Sequence, residues 1–182
     1  VARVAGHDPR REHGPAVSNP WWTPAYVGLG SNLDDPPLQL ARGFEALAKL
    51  PDTRLVLRSR LYRTRPLGPI DQADFVNAAA GLLTRLPCRG LLESLKNLEG
   101  QLGRERTVER WGPRLIDLDL LVYGNARVDE PGLTVPHPGI AERAFVLAPL
   151  ADIAADLRVP GLGLVRDLLS VVDTSCLLGA ES

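Results

Sequence analysis

Arg110-Trp111-Gly112-Pro113-Arg114-Leu115-Ile116-Asp117-Leu118-Asp119-Leu120-Leu121 is the stretch from which the rest of this 182-residue chain can be read. From Ile116 onward, apolar and acidic residues alternate, the period of a β-strand whose side chains point to two faces. Ile116, Leu118, Leu120 and Val122 then share one face, which has to be core. Asp117 and Asp119 share the other face with Leu115 and Leu121, their Cα atoms roughly 6.6 Å apart at the usual strand rise. The strand is expected over residues 114–123. A sheet with an apolar face needs helices to cover it.

Working outward, Pro87 opens a helix with the stripe Leu91, Leu95, Leu98 and Leu102, stopped near Gly103. Before it, residues 75–83 read as a strand with small side chains at Ala78, Ala79, Ala80 and Gly81, and residues 55–62 as a half-exposed strand. Residues 25–30 form a short apolar run ending in glycine, a buried strand. Pro36 and Pro37 open a helix carrying Leu40, Phe44, Leu47 and Ala48, with Asp34 or Asp35 as its cap. Residues 141–154 and 164–172 read as two further helices around a Pro160-Gly161 turn. The order strand–helix–strand–strand–helix–strand is the split βαβ pattern, which predicts an α+β domain with an antiparallel sheet flanked by helices. Residues 1–24 lack any period and read as a disordered arm or linker, residues 25–172 as one domain, and residues 173–182 as a C-terminal tail.

Composition narrows the function. A net charge of -1 gives no field to recruit nucleic acid or an anionic membrane. Cys88 and Cys176 lack paired spacing and read as reduced thiols of a cytoplasmic protein. No apolar run nears the ~20 residues of a membrane span, and the first 24 residues lack a signal-peptide core.

The chemistry gathers around the two aspartates. Paired carboxylates repel unless cations intervene, and magnesium binds through one or two carboxylates plus phosphate oxygens and water. Two such ions can clamp a polyphosphate. Arg104, Arg106, Arg110 and Arg114 lie just upstream, and guanidinium forks suit phosphate oxygens. Together these are the parts that phosphoryl transfer requires, since that chemistry is mostly positioning and charge neutralisation. The alternatives are a solvated strand face and a charged loop in which Glu105 and Glu109 pair with the arginines. Gly28-Leu29-Gly30-Ser31-Asn32 lacks the third glycine of a dinucleotide fingerprint, and no Walker A sequence occurs. His137, the one histidine of the expected domain, reads as structural or catalytic. Phe75 and Asn77 share a strand face and offer a ring and an amide to a flat ligand, although Phe75 alone would be core.

The opening stretch resembles the signature of the 6-hydroxymethyl-7,8-dihydropterin pyrophosphokinase family. The resemblance extends in order through Tyr26-Val27-Gly28-Leu29-Gly30-Ser31-Asn32, Tyr62-Arg63-Thr64-Arg65-Pro66-Leu67-Gly68, Phe75-Val76-Asn77-Ala78, Leu98-Glu99-Gly100-Gln101-Leu102-Gly103-Arg104, Leu133-Thr134-Val135-Pro136-His137-Pro138 and Glu142-Arg143-Ala144-Phe145-Val146-Leu147. It implies a ferredoxin-like fold and transfer of pyrophosphate from ATP to the pterin hydroxymethyl group, releasing AMP, in folate biosynthesis. It implies Asp117 and Asp119 as ligands of two Mg2+ ions, with Arg104 and Arg114 beside them in catalysis. It implies Phe75 and Phe145 stacked on the pterin, with Asn77 and the backbone at Thr64 and Leu67 reading its edge. Glu99, Arg106, Thr134, His137 and Arg143 would line the ATP side along with Arg104 and Arg114. Trp111 and Arg104 would ride on a loop, residues 104–113, that closes over the substrates as a lid. Gly139 and Ala141 stand where the family often carries larger or basic residues. Some members are fused to neighbouring folate enzymes, and the lack of Met at Val1 is compatible with that here.

Two other functions compete. Ferredoxin-like sheets also serve as RNA platforms, but the charge of -1, three Phe and three Tyr, and an acidic pair on the central strand argue against one. A catalytically dead scaffold is opposed by the intact Asp pair and Arg loop.

Overall fold

The computed structural model describes residues 20–66, 71–103 and 112–181. Along the chain it forms β1 (Thr23–Ser31), α1 (Pro36–Ala48), β2 (Thr53–Arg58), β3 (Leu61–Thr64), β4 (Phe75–Thr84), α2 (Cys88–Gln101) and β5 (Asp117–Tyr123). After these come β6 (Val128–Glu130), β7 (Leu133–Val135), a 3-10 turn (Ile140–Glu142), α3 (Ala144–Ala154), β8 (Arg158–Val159), β9 (Gly163–Leu164), α4 (Val165–Val171) and β10 (Leu177–Glu181). The main sheet runs β10-β3-β4-β1-β5, with β2 also on β4, and every pairing is antiparallel. β6–β7 and β8–β9 are separate hairpins. This is the α+β architecture that the element order predicts. Among the described residues, no helix is long and apolar enough to cross a membrane.

The sheet has a core on each face. On one, Leu40, Phe44 and Leu47 of α1 and Leu91 and Leu95 of α2 pack on Val27, Leu29, Ile116, Leu118 and Leu120. On the other, Val146, Leu147 and Leu150 of α3 and Val165 of α4 pack on Ala79, Leu121 and Val122. Each fully buried leucine contributes about 1.5–3 kcal/mol. α1 starts where expected: the Asp35 side chain accepts from Leu38 N–H at 3.4 Å, and Pro36 and Pro37 lead the first turn.

Several expectations are corrected. The run 55–62 is two strands, not one, because the Ser59 hydroxyl accepts from Ala79 N–H at 2.8 Å, donates to Arg60 O and so breaks the ladder. β5 starts at Asp117 rather than Arg114, and its pairing with β1 slips: Val27 faces Leu120, Tyr26 faces Val122, and Leu121 is bulged between. Val122 therefore joins the α3–α4 core rather than the face of Leu118, while the Tyr123 ring returns to the first core and donates its hydroxyl to Leu86 O at 2.6 Å. The helix expected over 141–154 begins at Ala144, after a 3-10 turn. Within the tail read over 173–182, Leu177–Glu181 forms β10 on the edge of β3, and at the other end β1 begins at Thr23, two residues ahead of the expected boundary.

Candidate active site

The period-2 pattern of β5 turns Asp117 and Asp119 to the α3 side of the sheet, into a cleft of about 260 Å³. Opposite them on β1 stand Gly30 and Gly28. These glycines keep the floor low: a β-carbon at Gly30 would lie 3.1 Å from Asn77 Oδ1, and one at Gly28 would meet Leu121 Cδ2 at 3.4 Å. The glycine turn thus forms part of the cleft floor.

One wall is β3 and β4. Thr64 pairs with Phe75, and Tyr62 with Asn77. Asn77 Nδ2 donates to Thr64 Oγ1 at 2.7 Å, with both residues buried. That bond fixes the amide, leaving Oδ1 on the side of Gly30. The facing wall is the start of α3, where Phe145 enters the cleft and the Arg143 guanidinium lies 5.9 Å from its ring centroid. Gly139 makes room for that arginine, since a β-carbon there would sit 2.6 Å from Arg143 Nε.

His137 is held after β7. Its backbone N–H donates to Leu121 O at 2.9 Å, and its Nδ1 accepts from Gly139 N–H at 3.1 Å. Burial, with Arg143 adding to it and Asp117 opposing, pushes the imidazole pKa below its ordinary value. With Nδ1 an acceptor, the neutral ring carries its proton on Nε2. Arg114 forms an ion pair with Asp117. Asn32 ties this region together. Its backbone N–H donates to Arg114 O at 3.0 Å and its Oδ1 accepts from Arg114 N–H at 2.7 Å. Its Nδ2 donates to Gln72 Oε1 at 3.0 Å and Ala73 O at 3.2 Å.

Of the residues singled out in the sequence, Thr64, Phe75, Asn77, Arg114, Asp117, Asp119, His137, Arg143 and Phe145 line this one cleft. Glu99 and Thr134 do not. Glu99 is buried on α2 with Oε1 accepting from Leu118 N–H at 2.7 Å, and Thr134 is on β7 with its hydroxyl 3.3 Å from Asp129 Oδ1. Leu67, Arg104, Arg106, Trp111 and the expected lid up to Trp111 lie outside the described residues, as does the arm up to Asn19. Sequence reasoning missed Arg65 and Gln72 on the cleft wall and the hub at Asn32. Asn32 stood in the quoted glycine turn, and a polar residue directly after a buried strand was the available signal.

The donor set fits magnesium. Asp117 and Asp119 offer hard carboxylate oxygens at an open cleft, and among the described residues no cluster of three or more His, Cys, Asp or Glu could form a closed cage. An ion that keeps waters and takes phosphate oxygens matches two carboxylates.

Residues 26–155 match the family model described as 7,8-dihydro-6-hydroxymethylpterin-pyrophosphokinase (HPPK). The chain is 49% identical over 153 residues to 2-amino-4-hydroxy-6-hydroxymethyldihydropteridine pyrophosphokinase of Methylorubrum extorquens, covering 84% of this chain and 96% of that one. It is 51% identical over 135 residues to the protein of the same name in Pseudomonas aeruginosa, covering 74% and 83%. Among solved structures it resembles a Plasmodium falciparum HPPK-DHPS crystallised with pteroate, with a TM-score of 0.64 at 13% identity. That likeness covers 82% of this chain and 44% of that longer one, so the chain spans less than half of it.

Proposed function

The chain belongs to the 7,8-dihydro-6-hydroxymethylpterin-pyrophosphokinase family, and on that premise we propose how its cleft carries the family's reaction. That reaction moves a pyrophosphoryl group from ATP to the hydroxymethyl oxygen of 6-hydroxymethyl-7,8-dihydropterin, releasing AMP, in folate biosynthesis. Because AMP leaves, the new bond joins the hydroxymethyl oxygen to the β-phosphorus, the β-phosphorus–oxygen bond to the α-phosphate breaks, and the hydroxyl proton is lost.

The observation that carries the reading is the meeting, in one cleft, of an aromatic slot and a charged floor: Phe75, Phe145 and Asn77 beside Asp117, Asp119 and Arg114. Phe75 and Phe145 stack on the pterin, and Asn77, its amide held by Thr64, reads the heterocycle's edge. Asp117 and Asp119 hold two Mg2+ ions, which when bound neutralise the charge of the transferring phosphates. Arg114 and Arg143 grip phosphate oxygens, and His137 donates from Nε2. Neutral at working pH, His137 gives a hydrogen bond without adding a cation beside Arg143. The family likeness supports Arg104 and Arg106 on the ATP side and Leu67 and Trp111 on the pterin side, while Glu99 acts from outside the cleft, its Oε1 holding the Leu118 N–H between the two aspartates. Incubation with ATP, Mg2+ and the pterin, read as AMP, tests the reading.

A further inference from the structure

The C-terminal strand reaches the cleft. β10 lies along the outer edge of β3, pairing Leu177 with Thr64, Gly179 with Arg63, Ala180 with Tyr62 and Glu181 with Leu61. Just ahead of it, Cys176 O accepts from Arg65 N–H at 2.9 Å. Thr64 and Arg65 both line the cleft. On its inner edge Thr64 pairs with Phe75, and its hydroxyl receives the Asn77 amide. One short segment therefore holds the end of β3 through its main chain.

β3 has four residues, and only Tyr62, Arg63 and Thr64 pair with β4. A strand that short frays at its end when one edge is open, because few bonds oppose local opening. Thr64 is nonetheless 2% exposed, with Leu177 on one side and Phe75 on the other.

We propose that the C-terminal segment 176–181 is a positioning element of the pterin slot, fixing Thr64 and Arg65 on one wall and, through the Thr64–Phe75 pairing, the place of the Phe75 ring. The inference rests on the pterin pyrophosphokinase reading above. The segment acts through the residues it holds. Contact between flat rings weakens within a fraction of an ångström of its best distance. Loosening this wall therefore weakens the pterin and spares the ATP side, carried by Arg114, His137 and Arg143 on other elements.

The test compares the full chain with one ended after Thr174, measuring AMP release to obtain kcat and the KM of each substrate. The pterin KM is expected to rise roughly tenfold. The ATP KM and the kcat at saturating pterin stay within about twofold of the full chain. A purely structural role would lower Tm and leave both KM values of the folded protein in place. Should the short chain fail to fold, a second pair decides: Arg65→Ala keeps the N–H that Cys176 uses, and Arg65→Pro removes it. The proline variant is expected to have the higher pterin KM, by several-fold. Equal pterin KM in the full and short chains, or in the alanine and proline variants, overturns the inference while a working full chain leaves the functional reading intact. A full chain that forms no AMP overturns both.

Discussion

Arg114 and Asp117, three residues apart, close an ion pair at the entrance to β5, inside the same cleft as Asp119. The pair holds one carboxylate in place beside the other, so the charged floor is arranged before any substrate arrives.

Asp117→Asn and Asp119→Asn are each expected to lower AMP formation by at least about a hundredfold, the scale of losing one group that stabilises charge in a transition state. The fold persists, because amide and carboxylate have the same shape and neither residue belongs to a core cluster. Circular dichroism and AMP assays on the same preparations check this. Turnover close to wild type in either variant would remove the metal-site reading.

Gly30→Ala puts a methyl group where it would sit 3.1 Å from Asn77 Oδ1. Alanine is better than glycine inside a strand by roughly 0.5–1 kcal/mol, so Tm should hold or rise slightly. The amide must shift by a few tenths of an ångström, and the pterin KM should rise more than that of ATP. Pterin affinity unchanged by calorimetry would show that Asn77 does not read the pterin from this position.

Gly139→Ala collides with the Arg143 guanidinium, whose Nε would lie 2.6 Å from the new carbon. A long side chain can swing aside at little cost in stability, so thermal melting should be nearly unchanged. The ATP KM should rise several-fold as Arg143 leaves the phosphate side. An unchanged ATP KM would detach Arg143 from that role.

Arg60, at the break between β2 and β3, grips Asp152 of α3 through Nε at 3.1 Å, a terminal nitrogen at 2.7 Å and the backbone N–H at 2.9 Å. The Arg60 side-chain hydrogen bond, helped by the backbone N–H and opposed by burial, holds the carboxyl below the ordinary aspartate value. A depressed folded pKa stabilises above the unfolded value, near pH 3.9, and the benefit is lost as pH falls through the folded value. Wild type and Asp152→Asn should therefore differ in urea-unfolding stability by a constant amount above about pH 5 and converge in stronger acid. A difference that stays constant into strong acid would contradict the linkage.

The sequence carries the fold where a period repeats and loses it where one residue interrupts the period. Alternation through Ile116, Asp117, Leu118 and Asp119 is enough to face the carboxylates away from the α1–α2 core, because strand geometry allows nothing else. It fails at Leu121, since the run Leu121-Val122-Tyr123 is apolar on both faces and nothing in it marks a bulge. The break at Ser59 is hidden for a similar reason: its hydroxyl takes the Ala79 N–H that a strand partner would take. β10 is short and contains Gly179, so only its pairing with β3 makes it a strand. The cleft was legible where residues share a strand, as with Phe75 and Asn77. It was not legible where distant loops meet, as at Asn32, whose partners Gln72 and Arg114 lie 40 and 82 residues away.

The central claim is pyrophosphoryl transfer, and the nucleotide released tests it most directly. The full chain, with ATP, Mg2+ and 6-hydroxymethyl-7,8-dihydropterin, should form AMP and pyrophosphorylated pterin in equal amounts, and neither when the pterin is left out or Mg2+ is chelated. Release of ADP in place of AMP, or no pterin-dependent nucleotide product at all, would contradict the account.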